Sequence, residues 1–183
     1  MDDSTKLRQG LHTMLTQAEI DFEMWQAMHK ERRNKDLQQK IKIRYSRFYV
    51  AAETALFNSL IIILYKTVEN RKDTININSY KKSLTDLIPK NTEFELDELE
   101  KVIEPLKTKI SILRNNTVGH QSMKLSSGDA FDKVNLWATE SFQLIEYLQK
   151  YVFILARDVQ DTHVTFNMKG TKHFDNLVTD LTC

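Results

Sequence analysis

Four stretches of this chain repeat apolar residues at steps of three and four, the spacing of one helix face, and few breakers interrupt them. The first, Ser4 to about Lys30, carries Leu7, Leu11, Met14, Ala18, Phe22, Trp25 and Met28. The second, about Asp36 to Asn70, carries Tyr45, Phe48, Tyr49, Ala52, Ala55, Leu56, Ser59, Leu60, Ile63 and Leu64; Ile61 and Ile62 widen its apolar arc. The third carries Leu96, Leu99, Val102/Ile103, Leu106, Ile110 and Leu113. The fourth, ending near Asp158, carries Phe131, Val134, Ala138, Phe142, Ile145, Leu148, Val152, Leu155 and Val159. Four glycines and two prolines in 183 residues punctuate too sparsely for a β-sandwich or an α/β fold. The expectation is an all-α chain, an antiparallel four-helix bundle.

Local signals refine this. Ser4 is a plausible N-cap for the first helix. The second helix, apolar on more than one face, should be central or also meet a second subunit. Glu53 and Asn58 within it read as flank positions. Arg71 to Asn78 reads as a loop, followed by a short extra helix over Ser79 to Ile88 that faces Tyr80, Leu84 and Leu87 inward and stops at Pro89. Asn91 or Thr92 can cap the third long helix, with Glu93, Glu95, Asp97 and Glu98 matched to its dipole; Pro105 should kink or split it. Ser126-Ser127-Gly128-Asp129 is a turn before the last long helix, off whose main stripe lie Trp137 and Phe153. The tail from Gln160 is weakly patterned, with a short docking helix around Phe174, Leu177, Val178 and Leu181. Residues 1–183 read as one domain, with a core over about 4–158 and a C-terminal extension over about 160–183.

Lys and Arg number 26 against 25 Asp and Glu, which argues against coating nucleic acid by bulk charge but permits a local patch. Lys30, Arg32, Arg33, Lys35, Lys40, Lys42, Arg44 and Arg47, diluted only by Glu31 and Asp36, form such a cluster. It reads either as a solvated turn with the polar face of the next helix, or as a phosphate-contacting surface. The one cysteine, Cys183, allows neither an internal disulfide nor a cysteine-based metal site. His12 and His29 have no partner at metal spacing, and His163 and His173 of the tail are assigned no chemical role; neither metal nor cofactor is expected. The acidic start gives no signal peptide, and the Leu60–Tyr65 run is short against the roughly 20 residues of a membrane span. No membrane association is expected, and the cytoplasm is the expected location.

Chemistry concentrates in Leu113-Arg114-Asn115-Asn116-Thr117-Val118-Gly119-His120, between the third and fourth helices. Arg114 supplies a permanently charged fork for phosphate oxygens, and His120 titrates near neutrality as an acid/base should. Asn115 could orient the histidine or contact backbone. On a regular helix six residues turn through about 600°, which leaves Arg114 and His120 about 120° apart. Either Gly119 ends the helix and turns His120 out of register, or a second subunit completes the site. The plain alternative is a helix end, with an exposed arginine and a capping histidine.

A bundle helix, then Arg114-Asn115, then His120 after five intervening residues, then a last bundle helix resembles the HEPN superfamily, most closely its AbiU2-like branch. The likeness covers roughly Ser4 to Asp158. It implies a metal-independent endoribonuclease of a phage-defence or toxin–antitoxin system, acting as a homodimer whose paired motifs share one cleft. In that reading His120 is the acid/base, Arg114 stabilises the phosphate, Asn115 assists, and Lys40, Arg44 and Arg47 guide RNA. An antitoxin or defence partner protein would accompany it. Related toxins modified on tyrosine carry it two residues beyond the histidine; Ser122 stands there, and the resemblance does not extend to that control. The alternative functions are a non-catalytic HEPN-like module that binds RNA, nucleotide or protein, and a plain helical interaction protein.

Overall fold

The computed structural model describes residues 2–31, 39, 45–118, 134–136 and 138–166. These are helical with no strands: α1 (Asp3–Glu31), α2 (Ser46–Val68), α3 (Ile77–Ser83), α4 (Lys90–Leu113) and α5 (Ala138–Gln160). A 3-10 turn, Thr85–Leu87, precedes α4, and a π-helical turn, Arg114–Val118, follows it. Helix α1 packs against α2 and α5, and α4 packs against α5 and α2, so each long helix has two long neighbours. The short α3 leans on α1 and α5.

The stripes meet in one buried cluster: Leu11 and Phe22 of α1, Leu60, Ile61 and Leu64 of α2, Leu96, Ile110 and Leu113 of α4, and Leu148 of α5 lie there, joined by Leu15, Leu144 and Tyr151, which the stripes did not include. Tyr45, Phe48 and Ala55, read as part of the second stripe, are exposed instead. Fully burying each large apolar side chain contributes about 1.5–3 kcal/mol, the main force holding these amphipathic faces together. By length and composition α2 is the one described helix that could cross a membrane, with mean hydropathy 1.6 in its best window, more than Leu60–Tyr65 alone suggests. Its inward residues Leu60, Ile61, Leu64 and Val68 instead serve the core, and Glu53 is buried near its first turns, accepting from His29 Nδ1 at 3.3 Å.

Several local expectations change. Asp2, not Ser4, caps α1: its Oδ1 accepts from the Thr5 backbone N–H at 2.7 Å and from the Ser4 hydroxyl at 3.0 Å. Ser4 lies inside the first turn, where its Oγ accepts from Gln160 Nε2 at 2.7 Å. The described part of the second helix begins at Ser46. The short helix is α3, capped by Asn76; Tyr80 and Leu84 are buried, but Leu87, in the 3-10 turn, is 65% exposed. Pro89 occupies the N-cap of α4 without a side-chain bond, and Thr92 turns inward to donate to Asp158 Oδ2 at 3.0 Å. Pro105 does not split α4. The missing backbone bond is outweighed by the buried row Ile103, Leu106, Ile110 and Leu113 on either side of it. Ile103 holds the core position, and Val102 is exposed. The described part of α5 starts at Ala138, and Asn135 before it adopts φ 45°, a left-handed conformation a helix cannot continue through. Phe131, Trp137, the Ser126–Asp129 turn and the Phe174–Leu181 segment lie outside the described residues.

Gln160 joins three helices. Its Oε1 accepts from Arg8 Nη1 at 3.0 Å and from the Tyr80 hydroxyl at 2.8 Å, while its amide donates to Ser4. Burial pushes the Tyr80 hydroxyl up to about 12, so it serves as a neutral donor. Beyond Gln160 the chain runs back along α1, where His12 Nε2 meets the Thr165 carbonyl at 2.9 Å and the His12 ring stacks on Phe166.

The Thr92–Asp158 tie has a measurable consequence. Hydrogen bonding from Arg157, with a further bond from Thr92, holds the Asp158 carboxyl below its usual 3.8. A depressed carboxylate stabilises the fold above its ordinary range, and that contribution fades as acid protonates it in the folded state. Asp158→Asn should therefore lower stability at pH 7 relative to the original chain. The deficit should shrink as pH falls below about 4, as chemical denaturation at pH 7 and near pH 3 would show.

Candidate functional site

The site is built where α4 runs out. Leu113, the last residue of α4, is fully buried, which fixes the following residue at the edge of the core. Over Arg114–Val118 the chain widens into a π-helical turn, a feature that often marks functional positions. The Asn116 amide donates back to the Ile112 carbonyl at 2.7 Å and secures the turn. The angular separation expected for Arg114 and His120 presumes α-helical geometry, which this segment does not have. On the far side, Lys109 Nζ binds Glu140 at 2.7 Å and the Asn135 carbonyl at 3.3 Å, tying the end of α4 to the start of α5.

Arg114 is half-buried, with its guanidinium over the Tyr65 ring, 4.8 Å from the centroid. Its Nη1 donates to Asn115 Oδ1 at 3.0 Å. Among the described residues no carboxylate pairs with it. An aromatic face favours the cation by about 0.5–2 kcal/mol without neutralising it. Among the described residues its remaining N–H donors have no partner, which leaves them to an anion. They face a cleft of about 470 Å³, walled by Met14, Ile62 and Tyr65 on the helices and by Glu69, Arg71, Thr74 and Ile75 on the loop after α2.

Asn115 is exposed, and its described side-chain bond is to Arg114 rather than to a histidine or the backbone. Gly119, His120 and Ser122 lie outside the described residues, as do Lys40 and Arg44. Arg47 is exposed in the first turn of α2. Eighteen residues separate it from Tyr65, about 27 Å along a helix, so the described structure does not bring it to Arg114. Sequence reasoning did not place Tyr65 or the loop after α2 at the site. Tyr65 reads as the end of an apolar run, and Arg71 to Asn78 reads as a plain loop, in which only the basic pair Arg71-Lys72 hints at a role.

Asn76 shapes that loop. Fully buried, its amide donates to the Arg71 carbonyl at 2.7 Å, to Thr74 Oγ1 at 2.9 Å and to the Thr74 carbonyl at 3.3 Å. Its Oδ1 accepts from the Ser79 backbone N–H at 2.8 Å, capping α3. Ile75 reaches from the loop onto Gly10 of α1, where a Cβ would stand 2.6 Å from Ile75 Cδ1. Asn76→Ala should lower stability by about 2–3 kcal/mol, since it removes a cap and strands buried carbonyls. Urea denaturation checks this; a loss below about 0.5 kcal/mol would contradict it.

Among the described residues no group of three His, Cys, Asp or Glu side chains could hold a metal ion. Against known proteins, the HEPN family model described as AbiU2 matches residues 4–177. No curated protein and no solved structure matches the chain.

Proposed function

Because this chain belongs to the HEPN AbiU2 family, we propose that it is an endoribonuclease that cleaves RNA without a metal, in phage defence or a toxin–antitoxin system. The observation that carries the reading is Arg114: a guanidinium held by the Tyr65 face and Asn115, without a carboxylate partner among the described residues, at an open cleft. In the proposed reaction the RNA 2′-oxygen attacks phosphorus as the bond to the 5′-oxygen breaks, leaving a 2′,3′-cyclic phosphate and a free 5′-hydroxyl. His120 moves the proton, taking it from the 2′-hydroxyl or supplying one to the departing 5′-oxygen. Arg114 donates to the non-bridging oxygens as their charge grows. Asn115 holds the arginine fork in place.

We read residues 1–183 as one HEPN-like domain with its four long helices as an antiparallel bundle, supported by the core they share. A homodimer is part of the proposal. Phe48, Ala51 and Ala55 are exposed along one side of α2, and that side runs on to Ile62 and Lys66 at the Arg114 cleft. A second copy seated there would close the cleft and exclude water from the reacting phosphate. The setting is cytoplasmic, with an antitoxin or other defence protein as partner.

The test is cleavage of total RNA in EDTA, with end-group analysis and mass in solution. Cyclic-phosphate ends that disappear in both Arg114→Ala and His120→Ala support the proposal. Cleavage undiminished by both substitutions overturns it. RNA binding without turnover would instead identify a non-catalytic HEPN-like binding module.

A further inference from the structure

The Arg114 cleft is not closed at the loop after α2. Arg71, Thr74 and Ile75 form one of its walls, and the same three residues wall a second cavity of about 700 Å³ on the loop's other side. That cavity is bounded by Lys6 and Leu7 of α1, by Asn70, Lys72 and Asp73 of the loop, and by Lys82 of α3, among others. The two hollows are therefore neighbours across a single ridge. Together they are lined by six cations (Lys6, Lys66, Arg71, Lys72, Lys82 and Arg114) against three carboxylates. A chain of near-zero net charge thus concentrates positive charge here.

How those charges are engaged separates them. Lys6 pairs with Asp3 at 3.4 Å, and Arg71 pairs with Asp73 at 3.2 Å. Lys72 and Lys82 are exposed and form no ion pair among the described residues. Their neighbour Lys81 differs: it is bound to Glu100 at 2.8 Å and to Asp97 at 3.2 Å. The ridge itself is braced. Asn76 binds it from within, Asn78 Nδ2 donates to Asn70 Oδ1 at 2.7 Å, and Ile75 rests on Gly10. A braced loop that presents an unpaired lysine loses less entropy on binding a phosphate than a slack one.

We infer that this ridge and its second cavity carry the phosphate backbone of single-stranded RNA away from Arg114, with Lys72 and Lys82 contacting phosphates that flank the reacting one. The inference rests on the endoribonuclease reading for its choice of ligand. It places the RNA track at the opposite end of α2 from Arg47. A cation that meets only flanking phosphates contributes to binding and leaves the chemical step alone.

The experiment compares Lys72→Gln/Lys82→Gln with the unsubstituted lysines, both in the His120→Ala background, using a fluorescein-labelled single-stranded RNA of about twenty nucleotides. Each lost phosphate contact should flatten the slope of log affinity against log salt by about 0.7, or about 1.4 for the pair. Affinity near 0.1 M salt should fall about tenfold. With His120 intact, the double variant should raise KM for that RNA and leave kcat unchanged. Melting temperature should not move, because both lysines are exposed and neither is ion-paired among the described residues.

Unchanged affinity and salt slope would overturn the track while Arg114-dependent cleavage still stood. Lysine-dependent RNA binding, with cleavage indifferent to Arg114→Ala, would keep the track and remove the nuclease reading. If the substitutions weaken ATP binding but leave RNA affinity intact, the cavity is a mononucleotide site and the track is overturned.

Discussion

On the endoribonuclease reading, Arg114→Lys should slow RNA cleavage by roughly a hundredfold or more, almost as severely as Arg114→Ala, with helical content unchanged. Charge alone would make the lysine conservative, but the geometry does not allow it. The guanidinium lies over Tyr65 and uses Nη1 on Asn115, so one flat group takes both supports and still presents N–H donors to the cleft. An ammonium is a compact, strongly hydrated charge on a flexible stem; it cannot stack on the ring and fork toward two phosphate oxygens together. Removing one preorganised donor from a developing oxyanion costs about 10²–10³ in kcat, and the arginine offers more than one. Single-turnover cleavage of a short RNA measures the effect, and a loss under tenfold would contradict it. Tyr65→Leu should give a smaller defect, about fivefold, because it removes the stacking surface and leaves the charge.

Leu113→Ala should lower the free energy of unfolding by about 2–5 kcal/mol, which is roughly 4–20 °C in melting temperature for a chain of this size. Leu113 is fully buried where α4 meets the common core, and it is also the last α-helical residue before the π turn. Truncation leaves a cavity that the neighbouring helices fill only partly. The pivot that directs Arg114 toward Tyr65 goes with it, so activity should fall even well below the melting temperature. Calorimetry with parallel cleavage assays tests both parts. A melting shift under about 2 °C would show that the site relaxes more than its burial implies.

The two substitutions show what could be read before the fold was known. The apolar stripes were legible because a helix buried on one face must repeat at three and four, and each stripe residue named in α1 and α4 except Met14, which lines the Arg114 cleft, and Val102 faces inward or packs at the core's edge. Arg114 was legible as a reactive candidate through its setting among amides, a glycine and a histidine. Its support was not. Tyr65 lies far away in sequence, and nothing in an apolar run distinguishes the aromatic that will carry a cation from one that will fill the core. Helix ends were the least legible. Asp2 and Ser4 both suit a cap, and only packing against Gln160 draws Ser4 inside. Thr92 is likewise taken from the N-terminus by a partner 66 residues away. The π turn has no composition of its own, so an angle computed for a regular helix did not apply there.

Gln160 carries a consequence for how distant parts of the molecule depend on one another. Through Tyr80 it suspends α3, and α3 in turn anchors the Asn76-bound ridge between the two hollows. Through Ser4 and Arg8 the same amide grips the first turns of α1, whose Lys6 and Leu7 form the opposite bank. One uncharged side chain thus ties together both walls of a cavity it does not line, so a substitution at the end of α5 should reach the shape of that cavity without touching it.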